Sequence, residues 1–262
     1  MYHSVNFGDK NTWDDWCIIP TSDPIIVPPS PKTNYVDVPG GDGSLDMSEI
    51  LTGYPVFSNR EGSLSFVAMN RNASSQPECN PLKFRDLVAE IMDHLHGHKM
   101  RMILEDDPDY FYTGRFALES TNANINFNEI VIKYTLDPYK WSVRSSINDD
   151  WLWDTFNFNT GIIPKSLFYN LKATTAHKVI HFDRNLIGTA PVMPTFIIDA
   201  LEDTGITMQL VNPDLGIDRT LKFQNGTRKN PDFFLYGNNV DLYFWVTTGT
   251  GTLTVEYRRG RL

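Results

Sequence analysis

A chain of 262 residues with 41% apolar and 21% charged side chains has an ordinary globular composition and the length of two modest domains. Its charge is uneven: residues 1–150 carry 22 acidic and 12 basic side chains, a net of −10, and residues 151–262 carry 10 acidic and 11 basic, a net of +1. The acidic first half repels phosphates and anionic headgroups, and the second half has no Lys/Arg stripe, so neither nucleic acid nor a membrane is expected as a direct partner.

No window approaches the ~20 apolar residues that span a bilayer. The opening MYHSVNFGDKN lacks the basic-then-apolar pattern of a signal peptide, so use without export is expected. Cys17 and Cys79 form no C-x-x-C and cannot make a four-thiol zinc set; two free thiols are expected.

Alternation over Tyr2 to Phe7 and the β-branched and aromatic residues of Trp13 to Ile19 predict two strands, the second stopped at Pro20. Residues 20–44 gather prolines and glycines in PPSP and GGDG, which predict loops and short edge strands in a long hairpin or arm. A single helical turn is expected in LDMSEILTG, ending at Gly53, followed by a strand from Val56 to Met69. Phe84, Leu87, Val88, Ile91, Met92 and Leu95 recur at three- and four-residue spacing, predicting an amphipathic helix capped by Asn80 and Pro81 and ended by Gly97. KMRMIL then reads as a strand, Glu105 to Asp109 as an acidic turn, Tyr110 and Tyr112 as the next strand, and Phe127 to Leu136 as another.

DPYKW ends this region, and the boundary is placed so that residues 1–145 and 146–262 form separate domains. The second half shows short strands at His177 to Phe182, Thr195 to Ile198, Ile206 to Leu210, Arg219 to Phe223, Leu242 to Val246 and Gly251 to Arg258. The turn-forming NPDLG, QNGT, GNN and TGTG between them argue an antiparallel sandwich. The expected architecture is an α+β first domain, mostly β, and an all-β second domain.

Catalytic motifs are missing. There is no G-x-G-x-x-G, no G-x-x-x-x-G-K-[ST] and no G-x-S-x-G. His94, His96 and His98 alternate, but a helix puts residues two apart on different faces, so these read as ordinary helix-end histidines rather than metal ligands. Glu105, Asp106, Asp107 and Asp109 lack the spacing of a calcium loop and read as a solvated turn. Trp151, Trp153, Tyr243 and Trp245 are candidates for stacking on a sugar or contacting a partner, against a simpler role as core or interface aromatics. No catalytic, cofactor or metal residue is expected.

Three blocks carry a family resemblance: GSLDMSEILTGYPVFSNREGSLSF at residues 43–66, LVAEIMDHLHGHKMRMILEDDPDYFYTGRF at 87–116, and NEIVIKYTLDPYKW at 128–141. In this order the chain resembles the distal tail proteins of long-tailed, siphovirus-type phages. The resemblance implies a virion structural protein, not an enzyme, at the far end of the tail. It implies a split-barrel-like first domain that closes into a hexameric ring, and an outward β-sandwich that is galectin-like in several relatives. The implied partners are further copies of the chain, the tail tube protein, a tail-tip hub or tail-associated protein, the tape-measure protein and receptor-binding proteins. The acidic first domain then suggests an axial channel that does not grip DNA. Leu51, Pro55, Phe57 and Arg60, with Asp109, Tyr110, Tyr112 and Arg115, are the candidate ring or hub contacts. The alternative function is a carbohydrate-binding host-recognition module.

Overall fold

A computed structural model describes residues 3–68, 84–123, 128–146, 167–173, 176–201 and 205–262. The fold is mostly β and divides into two compact units, residues 1–140 and 141–261.

The first unit holds β1 (Val5–Phe7), β2 (Lys10–Asn11), β3 (Ile18–Pro20), β4 (Tyr35–Asp37), β5 (Ser44–Asp46), β6 (Arg60–Ala68), α1 (Phe84–Leu95), β7 (Lys99–Leu104), β8 (Asp107–Ala123) and β9 (Asn128–Leu136). Seven strands of this unit pair antiparallel in the order β2-β1-β7-β8-β9-β6-β3. The period of two sends Leu64, Phe66, Phe116, Ile130, Ile132 and Tyr134 to one face, where Ile91 and Leu95 of α1 join them in a single core. At its centre Phe7 meets Phe116 edge-on at 5.0 Å and Phe66 at 6.4 Å. Gly114 is required where β8 runs beside β9: a Cβ there would stand 2.3 Å from the Thr135 carbonyl oxygen.

The predicted helix is observed from Phe84, ends at a left-handed Gly97, and buries Ile91 and Leu95. The expected caps, Asn80 and Pro81, lie outside the described residues. Met92 departs from the expected stripe and is exposed, because the line through Phe84, Val88, Ile91 and Leu95 already fills the contact.

Three further expectations are corrected. Trp13 to Cys17 is a turn, not a strand: the Asn11 side chain accepts from the Trp13 amide at 2.7 Å and the Asp14 amide at 3.1 Å, while Asp15 accepts from the Asn11 amide at 2.7 Å. These local bonds outcompete the β propensity of the tryptophans. Cys17 is disulfide-bonded rather than free; the chain's other cysteine, Cys79, lies outside the described residues. The acidic turn is only Glu105–Asp106, since β8 begins at Asp107 and each acid has an intrachain partner or a strand position. The Ser4 amide donates to Glu105 at 2.7 Å, His3 pairs with Asp106 at 2.8 Å, and Lys140 with Asp107 at 2.5 Å.

A short strand, β10 (Lys140–Ser142), crosses the unit boundary. The second unit contains β11 (Phe168–Lys172), β12 (Lys178–Phe182), a one-turn α2 (Arg184–Ile187), β13 (Thr195–Leu201), β14 (Gly205–Asn212), β15 (Ile217–Gln224), β16 (Gly226–Arg228), β17 (Val240–Trp245), β18 (Thr250–Glu256) and β19 (Gly260–Arg261). Two four-stranded antiparallel sheets, β11-β18-β13-β16 and β12-β17-β14-β15, share one core. Phe196, Ile198, Leu253 and Val255 enter it from the first sheet, and Ile180, Met208, Leu242 and Phe244 from the second. Tyr257 packs on Phe182 at 5.7 Å, and burial pushes its hydroxyl up to about 12.

Replacing Phe116 with Ala is expected to lower the unfolding free energy of the first unit by about 3–5 kcal/mol, through lost contacts and a cavity among Phe7 and its neighbours. Met92→Ala on the exposed flank of α1 is expected to change it by less than about 1 kcal/mol. Urea denaturation of the full chain measures both.

Candidate assembly interface

Between β3 and β6 the chain leaves the sheet as an arm, and the residues at its root explain why it is ordered. Ile26, on the extended segment after β3, is buried in the core. The next residue is gripped through both its backbone groups: the Val27 amide donates to Tyr134 Oη at 3.1 Å, and its carbonyl accepts from Arg60 Nη1 at 3.2 Å. Arg60 Nε also donates to the Pro138 carbonyl at 2.9 Å, and its guanidinium lies 5.5 Å from the centre of the Tyr112 ring. Burial lowers the Arg60 pKa and raises that of Tyr112. Gly62 makes room for this arrangement, because a Cβ there would stand 2.4 Å from Tyr134 Oη. The Arg60 and Gly62 of SNREGSLSF are therefore parts of an anchor.

Above the root, two segments run side by side. The Lys32 amide donates to the Val56 carbonyl at 2.8 Å and the Ser58 amide to the Ser30 carbonyl at 2.9 Å, while Phe57 meets Tyr139 edge-on at 6.0 Å. The tip is the hairpin β4–β5, in which Tyr35 faces Asp46 and Asp37 faces Ser44. Asp46 accepts from the Ser48 hydroxyl at 2.5 Å and the Ser48 amide at 2.9 Å, and these bonds hold its pKa below the ordinary carboxylate value. A single helical turn closes at Gly53, whose amide donates to the Glu49 carbonyl at 2.7 Å.

Every residue of β4 and β5 is exposed. The arm displays Leu51 at 96% exposure, Ile25 at 78%, Ile50 at 66% and Tyr35 at 59%, together with Val36, Val38 and Leu45. A two-stranded hairpin with no core of its own is marginal in water, and apolar groups gathered on an ordered projection mark a contact surface.

The sequence candidates separate on this geometry. Leu51 and Pro55 are exposed on the arm, and Phe57 is half-buried in its stalk. Arg60 and Tyr112 are buried and bonded within the unit, so they shape the arm rather than present to a partner. Asp109 and Arg115 are exposed along β8, with Tyr110 between them half-buried and Lys140 Nζ 4.9 Å from its ring centre. Sequence reasoning missed Tyr134 and Gly62, since a hydroxyl and a missing Cβ acquire meaning only when β6 and β9 are adjacent.

A second surface is the outer face of the sheet. Lys99 stands directly opposite Arg115, Arg101 follows two residues along β7, and Lys133 lies opposite Ala117. All four cations are exposed. Lys99 reaches Asp137 at 3.7 Å, Arg115 donates to the Gly97 carbonyl at 2.8 Å, and Arg101 lies 4.5 Å from the Phe111 ring centre.

The alternating histidines do not converge on one point. His94 bonds the Phe7 carbonyl at 2.8 Å and His96 accepts from the Leu118 amide at 3.2 Å, so the two point to different places. Among the described residues no group of three His, Cys, Asp or Glu side chains is placed to hold a metal. In the second unit Tyr243 and Trp245 share the outer face of β17, opposite its core residues. The His177 ring stacks on Trp245 at 4.1 Å, and His181 pairs with Asp241 at 2.8 Å on the same face. Trp151 and Trp153 lie outside the described residues.

The Gly62→Ala substitution is expected to push Tyr134 Oη away from Val27 and loosen the arm without unfolding the sheet. Hydrogen exchange should quicken across residues 27–58, with local stability down by about 1–3 kcal/mol. Because the folded-state pKa of Asp46 is lowered, its contribution to the tip is present above the ordinary aspartate value and is lost as pH falls through the lowered one. The Ser48 amide resonance should therefore move with a midpoint below that of an unstructured aspartate.

No protein-family model matches the chain, and no curated protein matches it. A solved structure does: the Dit (gp 19.1) protein of phage SPP1, described as a paradigm of the hub adsorption apparatus in phages that infect Gram-positive hosts. The match covers 100% of both chains with a TM-score of 0.58 at 13% sequence identity. Sequence alone does not carry a likeness at that identity, yet the arrangement of the backbone carries it end to end: this chain is folded like a phage distal tail protein.

Proposed function

We propose that this protein is a structural subunit of a phage tail tip, located at the distal end of the tail in the virion. Its first unit closes into a ring, six copies by the family resemblance, around an axial channel joining the tail tube protein to a tip hub. The ordered arm carries this reading: a projection anchored by Arg60 and Tyr134 that exposes Leu51, Ile50 and Tyr35 has no use in an isolated chain. The full-length fold likeness to a hub protein supports it. A ring uses two different patches of each copy, so its interface is heterologous. The second unit serves as the peripheral sandwich, galectin-like by resemblance, and offers its outer faces to receptor-binding or other tail proteins. The tape-measure protein is a further neighbour of such a ring. The mechanism is docking and closure, without covalent chemistry.

A second reading, sugar binding by the peripheral unit, is favoured by one observation. Tyr243 and Trp245 share an outer sheet face with His177, His181 and Asp241, giving rings and polar groups together.

Labelled copies in assembled virions should appear as a closed circle at the tube's distal end. Their absence there, or a scattered distribution along the tail, overturns the proposed role. For the second reading, Trp fluorescence of the full chain titrated with host-wall glycans should shift, and Trp245→Ala should abolish the shift. No response at millimolar sugar removes it.

A further inference from the structure

The strand order of the first unit puts β1 and β3 near opposite ends, yet one side chain joins the segments that flank them. His3, two residues ahead of β1, sets its Nδ1 2.9 and 2.8 Å from the two carboxylate oxygens of Asp106 in the β7–β8 turn. Its Nε2 stands 3.5 Å from Asp23, three residues beyond β3. Carboxylates at both nitrogens of one ring select its charge state. A neutral imidazole has a single N–H, so its other nitrogen would turn a lone pair toward an anion, and only the imidazolium donates at both ends. The hydrogen bond with Asp106, and then the charges of Asp106 and Asp23, hold the His3 pKa above the ordinary histidine value, against the opposing charge of the amino terminus. Glu105, the other acid of the turn, is engaged by the Ser4 amide at 2.7 Å. The backbone of His3 is left-handed, with φ at 50°, a conformation that a non-glycine residue keeps when its surroundings hold it there.

We propose that His3 is a proton-operated latch between the two ends of this strand order: as imidazolium it ties the β7–β8 turn to the segment that opens the arm, and as neutral imidazole it keeps Asp106 and releases Asp23. Asp23 is four residues ahead of Val27. The Thr21 amide donates to the Ser65 carbonyl at 2.9 Å and the Ile25 amide to the Asp23 carbonyl at 2.8 Å, so the segment released at Asp23 is the one that runs into the Tyr134 and Arg60 grip. The latch therefore stiffens or loosens the approach to the arm while the grip on Val27 stays made. Its contribution is complete below the ordinary histidine pKa and is lost as pH rises through the raised value. The device works within one chain and does not depend on ring closure.

Nuclear magnetic resonance on the full chain tests the latch. The ring resonances of His3, identified by their absence in His3→Gln, should titrate with a midpoint above that of an unstructured histidine. Amide exchange at Thr21 and Ile25, divided by the unstructured-chain rate at each pH, should quicken about threefold on passing from below to above that midpoint, while amides within β8 and β9 hold steady. Neither His3 nor Asp23 belongs to the core, so His3→Gln and Asp23→Asn leave it intact. Each variant should show the faster exchange at both pH values. Both keep the remaining histidines, so a response caused by one of those would persist in them. A pH response equal in the unaltered chain and the two variants overturns the proposal. So does a His3 midpoint at or below the unstructured value, or exchange at Thr21 and Ile25 that ignores pH.

Discussion

One residue, Val27, fixes where the arm leaves the sheet of the first unit. Tyr134 holds its amide and Arg60 its carbonyl, so the chain leaves the sheet at a set point instead of drifting away as a loop. Both anchors need a compact core: Tyr134 is on the interior strand β9, and Arg60 is buried against Tyr112. A guanidinium removed from water is expensive unless its donors are used, and here carbonyl groups and an aromatic face receive them. The sheet therefore transmits its rigidity to an element that has no core of its own.

Rigidity at the root changes the energetics of association. A disordered arm would pay its ordering entropy at each contact, whereas this one arrives with its stalk bonds and hairpin register already made. Its exposed apolar side chains then contribute burial with a smaller entropic offset.

The second unit is built on a different economy. Two four-stranded sheets bury alternate residues against each other and leave their outer faces to vary. One of those faces carries Tyr243 and Trp245 beside His177, a mixture compatible with either a protein or a sugar partner.

Much of this was readable in the residues. The apolar stripe of α1, the period-two alternation of β7 and β9, and the proline- and glycine-rich arm are short-range patterns, and local physics suffices to read them. Asn225-Gly226 and the other turn signals likewise announced the strands of the second unit. Other features were not legible. The turn at Trp13 to Cys17 depended on the Asn11 and Asp15 side chains overriding β propensity. Arg60 was named as a ring or hub contact by the resemblance alone, because nothing nearby in sequence tells of the burial of a charge that is normally solvated. The linear order of residues thus determined where helix, strands and arm lie. Only the folded sheet, by placing β6 beside β9 and β7 beside β8, decided that Gly62, Tyr134 and Arg60 would anchor the arm and that Lys99, Arg115 and Lys133 would share one face, since those contacts join residues far apart along the chain.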